Sequence, residues 1–347
     1  MKILHVNHRD IRHPKAGGLE MVVHELSRRW VKQGHAVSIV CAGFSGGSKE
    51  EVVDDVHIFR IGREEFFNFI AGRWLCRRKW MDADVVIEHL SKVACFIPWF
   101  VRDRPFLAHV PHLFGRAIFQ EASFLTGSYV YLMERLIPWA YRKHPLWALS
   151  QSTADDLATM EFPRERMEVI SGGVDTAFFD GERHPSEKPT VLYVGRVRKY
   201  KGLVHPLLKA WTMVLRRRPD AKLQIVGRGV YEKALHKHIL RSGLGDSVEL
   251  IGFVDEKRKL ELMRSAWLMV YPSAKEGWGL PVIEAGGVGI PTVASDSPGL
   301  RDAVRDGETG LLVPHGDANA LAQAILRLTE DGDLRRRLGS AAKVFSR

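Results

Sequence analysis

Three cysteines in 347 residues, Cys41, Cys76 and Cys95, are too few and too scattered for a disulfide framework or a cysteine-rich zinc site. Their scarcity fits a reducing compartment, so a cytoplasmic location is expected. No uninterrupted apolar run reaches the roughly 18 residues of a membrane-spanning helix. The opening MKILHVNHRD has no apolar stretch of signal-peptide length. The charge of +10 comes without any zinc-finger, RNA-recognition or helix-turn-helix pattern, so nucleic acid is not an expected partner. That charge suits phosphorylated substrates or anionic headgroups, and equally a basic surface that is merely solvated.

Against these absences stands a full complement of apolar residues, 45%, enough to bury sizeable cores. The length suggests about two domains. Short apolar runs alternate with helical patterns: strands at 2–7, 36–42, 56–61, 84–88, 105–110, 147–150 and 167–170, with a helical stripe from Met21 to Val31. A polar, proline-containing stretch, DGERHPSEKP, follows. The alternation then restarts at 190–195, 222–227, 247–252, 267–272 and 291–295, most of these runs ending in glycine. Strands separated by helices imply parallel sheets covered on both faces. The expected architecture is α/β, two doubly wound, Rossmann-like domains facing a central cleft. The first spans 1–175, a linker 176–189 and the second 190–347.

Chemistry concentrates in SAKEGWGLPVIEAGG, where Glu276 and Glu284 flank a glycine loop. The loop lies between a strand end and a helix start, where free backbone N–H groups and the positive end of the helix dipole favour a phosphate or oxyanion. Gly277 and Gly279 let the backbone approach a ligand. A carboxylate is a natural acceptor for paired sugar hydroxyls. For one glutamate alone, a capping or buried ion-pair role would be the better reading; the combination weakens it. In VGRVRKYKGL, Arg196 and Lys201 follow Gly195, and Gly202 is expected to open a helix. Two cations there suit a diphosphate without a metal. Arg198 and Lys199 read better as a solvated basic turn. Asp54-Asp55 and Asp82–Asp84 adjoin strands and have no metal-ligand context, so no metal and no cofactor is expected. Lys201→Ala is expected to lose nucleoside-diphosphate affinity with little change in melting temperature.

GRVRKYKG, SGGVDTAFF, the Ser273–Ser295 stretch and VRDGETGLLVPHGD resemble the C-terminal domain of the retaining family-4 glycosyltransferases, which have the GT-B fold. GGLEMVVHELSRRWVKQGHAVSIV resembles that family's first glycine loop, helix and second strand. The resemblance implies that Glu276 lies by the donor sugar hydroxyls and that Glu284 binds the ribose. The amides of Gly277, Trp278, Gly279 and Leu280 would hold sugar and diphosphate. Arg196 and Lys201 match the phosphate-binding cations, and Gly17 and Gly18 the loop that approaches phosphates and acceptor. Relatives often carry a histidine pair facing the sugar; here LAHVPHLFG has Pro111 in place of the first, leaving His112 as the favoured residue and His109 as the second. The chain also stops at AAKVFSR, where relatives usually continue into a helix that crosses back to the first domain.

The implied activity is a metal-independent, retaining transfer of a hexosyl group from a nucleoside-diphosphate-sugar, such as a UDP- or GDP-sugar, to an acceptor hydroxyl in polysaccharide or glycolipid biosynthesis. The alternatives are a nucleotide-sugar epimerase of the same fold, or a non-catalytic sugar-nucleotide-binding subunit. Acceptor binding falls to the first domain, where 66–80 and 114–144 mix aromatics with Arg73, Arg77, Arg78 and Lys79. That mix suggests a lipid-linked sugar at an anionic membrane, touched peripherally at the inner face, or equally a soluble glycan or small-molecule acceptor with the arginines solvated.

Overall fold

The computed structural model describes residues 1–78, 82–91, 93–100 and 102–347. Lys79 and Trp80, the end of the first basic-aromatic stretch, lie outside the described residues. The chain divides into two compact units, Met1–Gly172 and Gly173–Arg347.

The first unit is built from β1 (Lys2–Val6), α1 (Gly18–Lys32), β2 (Ala36–Gly43), β3 (Glu50–Val53), β4 (Val56–Arg63), α2 (Phe67–Arg77), β5 (Val85–His89), β6 (Phe106–Val110), α3 (Phe124–Tyr141), β7 (Leu146–Ala148), α4 (Gln151–Thr159) and β8 (Met167–Val169). Its sheet has the order β3-β4-β2-β1-β5-β6-β7-β8, parallel except for β3 against β4. One core, including Val23 of α1, lies on one face of the sheet. The other face is covered by α2, α3 and α4 through Phe67, Leu75, Ile137, Tyr141 and Leu157. Both faces are therefore sealed, which is why these strands are nearly continuous apolar runs. The strand β3 was not expected, because EEVV is half charged. It survives as an edge strand, joined to β4 by a two-residue turn in which Asp54 and Asp55 take φ of 50° and 62°. That turn suits a tight hairpin.

The second unit runs α5 (Thr176–Phe179), β9 (Thr190–Val194), α6 (Lys209–Arg217), β10 (Lys222–Val226), α7 (Glu232–Arg241), β11 (Val248–Gly252), α8 (Glu256–Ser265), β12 (Leu268–Tyr271), α9 (Leu280–Val288), β13 (Thr292–Asp296), α10 (Leu300–Ala303), β14 (Gly310–Pro314), α11 (Ala318–Glu330) and α12 (Gly332–Phe345). The strands form one parallel sheet in the order β11-β10-β9-β12-β13-β14. All five residues of β9 are buried, as a central strand requires. The segment 176–189, expected as a linker, is instead packed on this unit. Phe179 enters its core, Arg183 donates to the carbonyls of Ala266 and Gly289 at 2.6 and 3.1 Å, and Trp267 Nε1 donates to the carbonyl of Ser186 at 2.8 Å. Composition marked the stretch as polar; the Phe179 ring, the Arg183 guanidinium and the Ser186 carbonyl do the docking.

Candidate active site

In the second unit the chain lays down β9, β10 and β11 in one direction, then returns to the other side of β9 to lay down β12, β13 and β14. The strand order reverses between β9 and β12, and ligands of open α/β sheets bind beyond the carboxyl ends of the strands at such a reversal. The loop after β9 carries Gly195, Arg196 and Lys201. The loop after β12 carries Glu276 to Gly279. The topology thus brings together two stretches 75 residues apart.

Lys201 joins them. Its Nζ donates to Glu276 Oε1 and, at 3.3 Å, to Tyr271 Oη, with only 4% of the residue exposed. An ammonium has three N–H donors, and these contacts use two of them. The rings of Tyr200 and Tyr271 lie 5.1 and 5.0 Å from Nζ and contribute their negative faces. Burial, then the nearby Glu276 carboxylate, raises both the Tyr193 and the Tyr271 hydroxyls well above their ordinary range, so both stay neutral donors. Gly195 has no room for a side chain: a Cβ would stand 2.9 Å from both tyrosine hydroxyls. Arg196 is exposed at the mouth of this loop.

The Glu276 loop is braced from two sides. Ala274 N–H donates to Tyr200 O at 2.9 Å, Glu276 N–H to Pro298 O at 3.0 Å, and Ser297 Oγ to Ser273 O at 2.8 Å. Gly279, at φ +80°, turns the chain into α9, whose first two residues are Leu280 and Pro281. Proline suits that first turn because its missing N–H would be unsatisfied there anyway. Gly277 and Trp278 are half-buried, and Trp278 packs on the unit's core. Glu284 falls on the second turn of α9, buried, and its Oε1 accepts from Lys259 Nζ at 2.9 Å. Lys259 also reaches Glu256 Oε2 at 2.7 Å. Burial raises the Glu284 carboxyl, and Lys259 only partly offsets it; at Lys259 the two acids outweigh burial and hold the ammonium charged.

One expectation fails here. Gly202 is left-handed at φ +73°, but no regular helix starts after it. Residues 203–208 form an irregular turn with His205 extended, and α6 begins at Lys209. Pro206, inside that turn, cannot donate a helical hydrogen bond. Lys201 therefore stands before an irregular helical stretch broken at His205, not at the N-terminus of a regular helix.

In the first unit the order reverses between β1 and β5. Gly17, in the loop after β1, is the N-cap of α1, and its N–H donates to Glu20 Oε2 at 2.7 Å; Gly18 is the first residue of the helix. His112 lies in the loop after β6, half-buried, with its ring 4.7 Å from that of Phe114. Glu134 of α3 holds this loop by accepting from Phe114 N–H and Gly115 N–H at 2.5 and 2.8 Å.

His109 does not reach the loop. It is fully buried within the sheet, stacked on Trp147 at 3.8 Å, and its Nδ1 lies 2.7 Å from His89 Nδ1; His89 Nε2 lies 2.9 Å from His5 Nδ1. Three imidazoles thus form a buried chain across β1, β5 and β6. Burial pulls the His5 and His109 imidazoles down to about 3, and that of His89 well below its usual value.

Sequence reasoning missed Lys259, Tyr271 and Glu134. Lys259 precedes Glu284 by 25 positions on a helix rich in charge, and Glu134 is the sole acid of an apolar helix. That isolation is the one signal that could have marked Glu134 as buried and partnered.

Residues 16–178 match the family described as glycosyltransferase family 4, and 174–345 the family described as glycosyl transferases group 1. A phosphatidyl-myo-inositol mannosyltransferase of Mycobacterium leprae is 38% identical over 162 residues, 46% of this chain and 42% of that protein. The chain thus matches less than half the length of that relative. Among solved structures, sucrose-phosphate synthase of Thermosynechococcus elongatus superposes with a TM-score of 0.80 at 22% identity, over 99% of this chain and 94% of the other. HepE of Anabaena, solved in complex with UDP and glucose, gives 0.77 at 20% identity, over 100% and 94%.

Proposed function

We propose, for a chain that belongs to the group 1 and family-4 glycosyltransferases and has the GT-B fold, that it moves a hexosyl group from a nucleoside-diphosphate-sugar to an acceptor hydroxyl with retention of configuration. The observation that carries this reading is the meeting of Lys201 and Glu276 at the β9/β12 reversal, one loop from the buried Glu284. Arg196 and Lys201 hold the diphosphate, while Glu276 accepts from sugar hydroxyls and Glu284 from the ribose. The amides of 277–280 and Gly195 line the donor.

As the anomeric C–O bond breaks, its electron pair passes to the phosphate oxygen. The two cations stabilise that charge more in the transition state than in the bound donor. The acceptor oxygen then bonds the anomeric carbon from the face the diphosphate leaves, and its proton goes to the departing phosphate oxygen. No metal ion or cofactor takes part in this scheme. His112 and the Gly17-Gly18 loop serve the sugar and acceptor side. The mannosyltransferase relative, named for a phosphoinositide, supports a lipid or lipid-linked acceptor, and HepE supports a UDP-sugar as donor. The enzyme then works in the cytoplasm, peripherally at an anionic membrane face, in glycolipid or polysaccharide synthesis.

The test is a thermal-shift panel of nucleoside diphosphates and their sugars, followed by product mass spectrometry with lipid and glycan acceptors, with and without chelator. Acceptor-dependent transfer that survives chelation is expected. Donor conversion without acceptor would point to an epimerase, and activity restored only by manganese would remove the cations from their assigned role.

A further inference from the structure

Helix α3 presents apolar side chains to solvent. Leu125 and Trp139 are each 81% exposed and Leu132 is 59%, and the three recur at every seventh residue. Seven residues are close to two helical turns, so the three form one outward row. Arg135 and Arg142 repeat at the same interval, about 60° round the helix. Phe124, 77% exposed, extends the patch at the N-terminal end. The opposite side of α3 is spent on the core, through Val130, Ile137 and Tyr141.

Beside it, α2 exposes Phe66, Phe69, Arg73 and Arg77, and Asn68 Nδ2 donates to Tyr129 Oη at 2.9 Å, so the two helices are neighbours on one face of the sheet. From Phe66 to Arg78 there is no acid. From Phe124 to Lys143 the single acid is Glu134, which is turned inward.

We infer that the α2–α3 face is a docking surface for an anionic lipid bilayer, and that α3 carries the His112 loop to it. Exposed aromatic and aliphatic rows flanked by arginines match the apolar-to-anionic boundary of a membrane. Arg142 is paired with Glu161 at 3.0 Å, and a second copy of the chain would set Arg73, Arg77 and Arg135 against their own kind. Glu134 ties the patch to the proposed site: the helix whose outer side meets lipid grips, by its inner side, the amides next to His112. The docking claim stands on the surface alone; only the delivery of a lipid-borne acceptor to His112 rests on the proposed transferase reading.

The experiment is co-sedimentation of the whole chain with phosphatidylcholine vesicles, with and without phosphatidylglycerol, read without donor or acceptor. Wild type should pellet with the anionic vesicles, less so as salt rises. A Leu125→Ser/Leu132→Ser/Trp139→Ser variant should lose at least ten-fold in partitioning with its UDP-induced thermal shift intact. Arg73→Glu/Arg135→Glu, which leaves the apolar row in place, should lose binding to anionic vesicles. Equal recovery in the supernatant with and without phosphatidylglycerol overturns the inference. So does a wild-type dimer that the serine substitutions dissociate, because the face would then belong to a second copy. Absence of a thermal shift with both UDP and GDP in wild type would instead count against the transferase reading and leave the docking result standing.

Discussion

The two units share a doubly wound plan and differ in what they place at their strand-order reversals and on their outer helices. In the second unit the ionisable groups at the strand-order reversal are paired within the protein, Lys201 with Glu276 and Lys259 with Glu284, and the loops that hold them are cross-braced by backbone hydrogen bonds. In the first unit the interior under the equivalent reversal holds three neutral imidazoles and a buried Arg60–Asp10 pair, while the arginines of α2 and Arg135 of α3 lie outside among exposed rings. Under the proposed reaction, a donor carries the same diphosphate whatever its sugar, which calls for fixed cations. An acceptor approached from a surface calls for an outward face. The contrast teaches that one topology can hold a preset charge site or a presenting surface, according to which side chains sit at its strand ends.

Acid breaks this comparison most strongly. The folded first unit holds His5 and His109 at about 3 and His89 well below its ordinary value, whereas unfolded histidines titrate near 6.5. Between those values the unfolded chain binds more protons, so stability is full above about pH 6.5 and falls as the pH drops below it. Each histidine costs about 1.4 kcal/mol per pH unit, on the order of 2 kcal/mol each at pH 5. Denaturant melts from pH 7.5 to 5 should show the first unit losing stability first. His109→Gln, which cannot charge, should flatten that slope. An unchanged slope in the variant would mean that the chain of imidazoles is not what titrates.

Removing one partner of a buried pair comes next. Lys201→Ala strands Glu276, whose side chain is only 13% exposed, and breaking such a pair costs about 3–5 kcal/mol. The melting temperature should therefore fall, against the expectation from sequence that it would hardly move. Lys201→Ala/Glu276→Gln, with no stranded charge, should recover most of the loss. A smaller effect is expected at Lys259. Lys259→Met leaves Glu284 buried without its main cation, so the carboxyl rises further and nucleotide affinity falls, by several-fold, more at pH 6 than at pH 8. A pH-independent loss would assign Lys259 to packing alone.

Much of the fold was legible because buried parallel strands are apolar runs and the intervening helices keep their period. The two loops at the β9/β12 reversal were legible as candidates too, since glycines, acids and cations cluster within a few positions at 195–202 and 276–284. What could not be read were contacts made across sequence. Lys259 looks like one more charge on a polar helix until α8 meets α9, and the burial of His109, inside the expected strand 105–110, shows only once β5 and β7 flank it. The edge strand β3 was hidden by its two glutamates. The strand β14, inside the quoted VRDGETGLLVPHGD, was masked by its terminal glycine and proline. The helix expected to open at Gly202 is an irregular stretch, 203–208, broken at His205 next to Pro206.

The central claim is that the β9/β12 reversal of the second unit grips a nucleoside diphosphate through Lys201 and Arg196. Calorimetric titration of UDP and GDP into wild type and Lys201→Ala, under conditions where both are folded, tests it directly. A charge-assisted contact is worth roughly 1.5–3 kcal/mol, so the account predicts binding by wild type to at least one of the two and a loss of about ten-fold or more in the variant. Equal affinity in the two proteins, or no nucleotide bound by wild type, would contradict it.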